Sequence, residues 1–168
     1  MKKGIIQKRD MLKLALEALL LFAGDQGIKY VVRQYPVRKP IWSVSGLLEV
    51  IRIQNTGAAF GILAGHPALF LGIGAMAVSA VCVIVALKYI QIDSPGERFM
   101  LALILGGALG NAADRLLMGS VTDYIRVRLF SFPVFNFADV CIVLGVCALS
   151  MRILRPDAPA MKEKRQNE

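Results

Sequence analysis

Four stretches of this chain are predominantly apolar, at about 12–33, 68–90, 98–117 and 134–154. Each is long enough to cross a bilayer as a helix, since about 30 Å of hydrocarbon takes roughly 20 residues. Little lies between them: a basic N-terminus, a loop of about 34–67, brief connections, and a tail from Pro156 with the Lys, Glu and Gln content of a disordered segment. Between the third and fourth stretches, YIRVRLFSFPVFNFA sets Arg126 and Arg128 against Tyr124, Ile125, Leu129 and Phe130. That alternation predicts a short amphipathic helix on the membrane surface, returning through Pro133 into the last span. The pattern therefore predicts a mainly α membrane protein with four transmembrane helices, one domain over 1–155 and a polar tail over 156–168, without repeats.

Composition agrees, because 56% hydrophobic residues in 168 is too apolar for an ordinary soluble domain. Charge sets the orientation, since cytoplasmic ends retain Lys and Arg. Lys2, Lys3, Lys8, Arg9 and Lys13 precede the first span, and Arg152, Arg155, Lys162, Lys164 and Arg165 follow or end the last, so both termini are expected in the cytoplasm. Arg38, Lys39, Arg52, Arg126 and Arg128 break the rule on the outer side. The net charge of +8 does not imply nucleic-acid binding, because half of the 20 basic residues sit on tails where topology accounts for them. A basic start before LALEALLLFAG resembles a signal peptide, but the apolar pattern continues through DQGIKYVV without a cleavage site, so the helix reads as retained. Cys82, Cys141 and Cys147 lie inside spans without metal-ligand spacing, and His66 stands alone beside Pro67, so neither a metal site nor a Ser-His-Asp triad is indicated.

A rise of about 1.5 Å per residue converts position into depth. Counted from the inner side, Asp25 and Lys29 lie at about 18 and 24 Å, Asn111 at about 18 Å, and Asp114 and Arg115 at about 23 Å. Asn136 and Asp139 lie within about 8 Å of the outer end of the last span. Three spans thus place polar groups in one outer layer, while the second contributes nothing stronger than Ser79 before Lys88 and reads as a lipid-facing scaffold. Asp25 with Lys29, Asn111 with Asp114 and Arg115, and Asn136 with Asp139 share helix faces by spacing. Asp25 with Lys29 equally suits an ion pair snorkelling at the water interface, and Glu17 suits a pair with Lys13 one turn earlier. Asp139 has no basic residue within a turn. Its partner must come from elsewhere, and Asp123, just past the third span, is the best placed. Two carboxyls at close range cannot both ionise easily, so one keeps its proton and the pair can act as acid and base on one water. Arg115, always cationic, suits a structural counter-charge.

In order along the chain, DQGIK, NTGAAFG, GGALGNAADR, GSVTDYI and FNFADVCIVLG resemble the motifs of lipoprotein signal peptidase, or signal peptidase II, a bacterial membrane aspartic endopeptidase, over nearly the whole length. The resemblance implies removal of the signal peptide from a prolipoprotein on the amino side of a diacylglyceryl-modified cysteine, without metal or cofactor. It makes Asp123 and Asp139 the catalytic pair, Asn111, Arg115 and Asn136 polar supports, and Asp25, Lys29 and Asn55 members of other marked motifs. Gly57, Ala58 and Ala59 would let backbone approach a ligand closely, with Phe60 behind, the alternative being a Gly-rich turn that ends a surface strand. The β-prone WSVSGLLEVIRI would form the family's small outer-face sheet. Ile28 and Tyr124 depart from the usual residues, which touches local packing only. Implied partners are lipidated prolipoproteins and membrane lipids, with no nucleic acid, for a monomer in the bacterial cytoplasmic (inner) membrane whose site faces outward. Two other classes share parts of this pattern: a proton-coupled carrier, which would place its site at mid-membrane and often show inverted repeats, and a non-catalytic lipid-binding protein, which would tolerate amides for the acids.

Overall fold

The computed structural model describes residues 8–44, 46–56 and 94–154. Along the chain these form α1 (Lys8–Arg33), β1 (Pro40–Val44), β2 (Leu48–Asn55), α2 (Pro95–Met118), β3 (Val121–Val127) and α3 (Phe137–Leu154). The span expected over 68–90, the segment from Gly57 to Phe60, His66, Cys82 and the tail lie outside the described residues.

Helix α2 stands between the other two and has clear stop signals. Ser94 caps its start, accepting from Glu97 N at 3.2 Å with Pro95 following. Gly119 ends it in the left-handed conformation at φ +70°, donating its N–H to Arg115 O. Among the described residues α2 alone is long and apolar enough to cross a membrane by length and composition.

The glycines of GGALG let its neighbours approach. A Cβ on Gly106 would lie 2.7 Å from Leu21 Cβ and 2.8 Å from Ala18 O of α1, and one on Gly107 would lie 2.5 Å from Ala138 O of α3. Gly145 does the same for α3, where a Cβ would meet Met100 O at 2.8 Å. Gly107→Ala should therefore push α3 away and cost about 1–3 kcal/mol, read as a lowered thermal midpoint in detergent. Gly27→Ala, with nothing within 4 Å of its Cβ, is the control and should be neutral or stabilising.

Leu14, Ala18, Leu101, Ala102, Ile104 and Leu149 form the buried apolar cluster where the three helices meet. Other large apolar side chains face outward, Leu116 and Leu117 among the most exposed, while Asp25, Lys29, Asp114 and Asn136 are sealed inside. Exposed leucines around a buried ionic cluster suit hydrocarbon surroundings better than water.

Away from that core, Glu17 does not pair with Lys13 but accepts from Arg98 of α2 at 2.9 Å, and Arg152 of α3 donates to Glu97 at 2.8 Å. Three helices are thus cross-braced by charge pairs that join different elements.

The β-prone stretch forms β1 and β2, turning at Gly46 with φ +76°. The sheet has the order β1-β2-β3, antiparallel throughout. Here the structure corrects an expectation: Val121–Val127 is a strand, and no helix occurs between Gly119 and Asn136. The period-two alternation of Tyr124, Ile125 and the two arginines suits a strand as well as a surface helix, and β2 supplies the hydrogen-bonding edge that decides between them. The arginines expected on the outer side find partners within the fold. Arg126 and Arg128 lie 2.9 and 3.7 Å from the buried carboxylate of Glu49, and Arg52 Nη1 caps the end of α1 through Arg33 O (2.6 Å) and Tyr35 O (2.9 Å).

Candidate active site

Strand β3 carries Asp123 almost fully buried, paired through its backbone with Ile53 of β2. Asn55 lies two residues further along β2, on the same face of the sheet, and donates from Nδ2 to Asp123 Oδ2 at 2.8 Å. After β3 the chain loops out and returns: Phe135 N donates to Ile125 O at 3.1 Å and Ile125 N to Phe135 O at 2.8 Å. That return delivers Asn136 to the start of α3 beside Asp123.

Asn136 and Asp139 cap α3 reciprocally. Asp139 N donates to Asn136 Oδ1, and Asn136 N donates to Asp139 Oδ2, both at 3.0 Å. The three-residue spacing seen in the sequence is therefore a helix cap. It leaves the Asn136 amide nitrogen free for other work, and it donates to Asp123 Oδ1 at 2.7 Å and Asn111 Oδ1 at 3.1 Å. Asn111 Nδ2 in turn donates to Asp139 Oδ1 at 2.7 Å. The two carboxyls, from a strand and a helix, are thus joined through one shared asparagine. Burial, with the charge of Asp139 adding to it, pushes the Asp123 carboxyl up to about 6. Because this value lies above the ordinary one, Asp123 stabilises the fold fully below about pH 4, and that contribution is lost as pH rises through about 6.

Behind the asparagines lies an ionic layer. Lys29, fully buried, holds Asp25 Oδ2 at 2.8 Å, Asp114 Oδ2 at 3.4 Å and Asn111 Oδ1 at 3.0 Å. Asp25 Oδ1 accepts from Ala138 N at 3.1 Å, and Asp114 Oδ2 accepts from Thr122 N at 2.8 Å. Arg33 pairs with Asp114 and donates from Nε to Thr122 Oγ1, and Gln26 bridges Asp114 and Gly110 O. Asp25 and Lys29 are therefore not a snorkelling pair at the water interface.

Structure and expectation differ on Arg115. It is half-buried and donates to Asn111 O at 3.5 Å, with no ion pair among the described residues, so Lys29 and Arg33 supply the counter-charge instead. Asn55, Asn111, Asn136, Asp25 and Lys29 do converge on the two aspartates, whereas Gly57 lies outside the described residues. The sequence reading left out Gln26, Arg33 and Thr122 and gave Asp114 no role. Extending the Asp25–Lys29 face by one turn reaches Arg33. Tyr124 does more than pack: its hydroxyl accepts from Phe137 N at 3.1 Å, and burial pushes its phenol up to about 12.

Asp123 and Asn55 open onto a cleft of about 710 Å³ between β2, β3 and residues 131–134. Gln54, Thr56, Arg38 and Arg126 supply its polar wall, and Ile51, Ile53, Phe132 and Val134 its apolar wall. Among the described residues no cluster of His, Cys, Asp or Glu suits a metal ion.

Comparison with known proteins gives this geometry a context. The family model for signal peptidase II matches residues 17–155. The lipoprotein signal peptidase of Moorella thermoacetica is 39% identical over 142 residues, covering 84% of this chain and 92% of that protein. The Bacillus subtilis lipoprotein signal peptidase is 34% identical over 153 residues, covering 88% and 96%. A bacterial membrane enzyme structure obtained by the in meso method at 2.3 Å resolution superimposes with a TM-score of 0.69 at 26% identity, over 86% of this chain and 88% of that one. A match over most of the chain, with relatives well above 30% identity, places it among the peptidases of bacterial membranes, and the chain belongs to the signal peptidase II family.

Proposed function

We propose that this chain is an aspartic endopeptidase that removes signal peptides from diacylglyceryl-modified prolipoproteins, cutting on the amino side of the lipidated cysteine. The observation that carries the reading is the joining of Asp123 and Asp139 through Asn136, with Asp123 lining an open cleft. One carboxylate takes a proton from a water held between the pair, the water attacks the scissile carbonyl, and the protonated partner hydrogen-bonds the developing oxyanion. The leaving amine then takes a proton from the pair. The raised Asp123 value supports it as the member that carries the shared proton. In this reading four spans hold the site near the outer face of the cytoplasmic membrane, with both termini inside, and a monomer suffices. Asn55, Asn111 and Asn136 orient the dyad.

The dyad predicts a pH profile. Activity needs one proton on the pair, so kcat/KM falls on the alkaline side as Asp123 ionises, at about 6. Asn55 donates to the ionised form and holds the value down, so Asn55→Ala should move that limb to higher pH. A limb that stays in place or moves down would separate Asn55 from the proton.

The substrate class is tested with purified protein and two precursors that differ only in the diacylglyceryl group, with products read by mass spectrometry. Lipid anchoring contributes about 0.8 kcal/mol per buried CH₂, so even about four buried methylenes favour the lipidated precursor by about 200-fold in kcat/KM. Equal turnover would remove lipid from the recognition.

A further inference from the structure

We infer that Lys29 is a positioning residue that sets the separation and aim of the two catalytic carboxyls, an inference resting on the dyad reading above. Its ammonium bridges Asp25 and Asp114, and each of these grips the backbone N–H just before a catalytic aspartate: Asp25 takes Ala138 N, preceding Asp139, and Asp114 takes Thr122 N, preceding Asp123. The strand and the helix bearing the dyad are therefore both pinned to one cation on α1. A third contact fixes direction. An ammonium has only donors, so the oxygen of Asn111 must face Lys29, at 3.0 Å, and its NH₂ is left to face Asp139, at 2.7 Å. The same oxygen accepts from Asn136, whose NH₂ also reaches Asp123. Reversing the Asn111 amide would set two NH₂ groups against each other and an oxygen against Asp139.

The charged and titratable groups around Lys29 are Asp25 and Arg33 on α1, Asp114 on α2, Asp123 on β3 and Asp139 on α3. Removing Lys29 alone leaves Asp25 buried without its ion pair, so the decisive variant removes both carboxylates with the cation: Lys29→Met with Asp25→Asn and Asp114→Asn. It keeps an acceptor oxygen for Ala138 N and Thr122 N, and Arg33, which loses Asp114, is 15% exposed and keeps Thr122 Oγ1. With a lipidated precursor, we expect folded triple variant to show KM within a few-fold of the parent and kcat lower by about 10²-fold, the loss from misplacing reacting groups by about 1 Å. Glu97→Gln with Arg152→Met removes an ion pair, buried on the Glu97 side only, at the other end of the bundle and should leave kcat unchanged. Unchanged kcat in the triple variant, or an equal loss in the Glu97/Arg152 control, overturns the inference. If the triple variant does not fold, the Lys29→Arg variant decides: it keeps the charge but alters reach and shape, so kcat should fall with KM held, and a parental kcat overturns the inference. Asp123→Asn and Asp139→Asn run in the same assay separate the two readings. Activity in those variants sinks the dyad itself, whereas their loss beside a fully active triple variant sinks only the role of Lys29.

Discussion

Asp139→Asn is expected to lower turnover of a lipidated precursor by about 10²- to 10⁴-fold in folded, membrane-inserted protein, and Asp123→Asn to do the same. The substitutions are nearly isosteric, but the surroundings make them chemically severe. Both oxygens of Asp123 face amide donors, Asn136 Nδ2 on Oδ1 and Asn55 Nδ2 on Oδ2, and both oxygens of Asp139 accept, from Asn111 Nδ2 and Asn136 N. An asparagine at either position must turn its own NH₂ toward another donor, so the variant loses a hydrogen bond as well as a proton acceptor. At Asp139 it also loosens the helix cap, at about 1 kcal/mol. On the proposed mechanism both acids act on one water, so the double variant should be scarcely worse than either single one. Accumulation of uncleaved, lipidated precursor is the readout, beside a thermal midpoint showing that the protein remains folded. Normal processing by either single variant removes the dyad.

Lys29→Met should be the most damaging single change to the fold, at about 3–5 kcal/mol, because it strips the cation from a fully buried cluster and leaves Asp25 without its ion pair. Asp114 keeps Arg33 and is partly relieved. Arg33→Ala should cost less, since the Arg33 side chain is 15% exposed and water can replace part of it. Chemical or thermal unfolding in detergent micelles ranks the two. An unfolding midpoint for Lys29→Met equal to that of the parent would mean that the buried carboxylates are already satisfied by other groups.

How much of this was legible depended on how local the cause was. The three helices follow from apolar runs and the β1–β2 hairpin from a β-prone stretch, signals carried by consecutive residues. Strand β3 was not legible, because an alternation of Arg with Ile and Val suits a strand or a membrane surface equally well, and its partner Asn55 stands 68 residues from Asp123. Glu17 shows the same limit: Lys13 was one turn away, but the cation that pairs with it is Arg98, 81 residues on. Spacing put Asp25 with Lys29 and Asn136 with Asp139. It could not tell that one pair is sealed in the interior and the other is a helix cap. The aspartate pair itself emerged from depth counting and from motif resemblance together. The direction of the Asn111 amide, on which the dyad's donors depend, appears only once four elements are assembled.

The double duty of Asn136 bears on when the protein becomes dangerous. The side chain that closes the first turn of α3 also ties Asp123 to Asp139, so the proposed dyad is assembled only as that turn winds onto the sheet. On the proposed mechanism, a chain whose last helix has not yet docked holds two unconnected acids and would not cut.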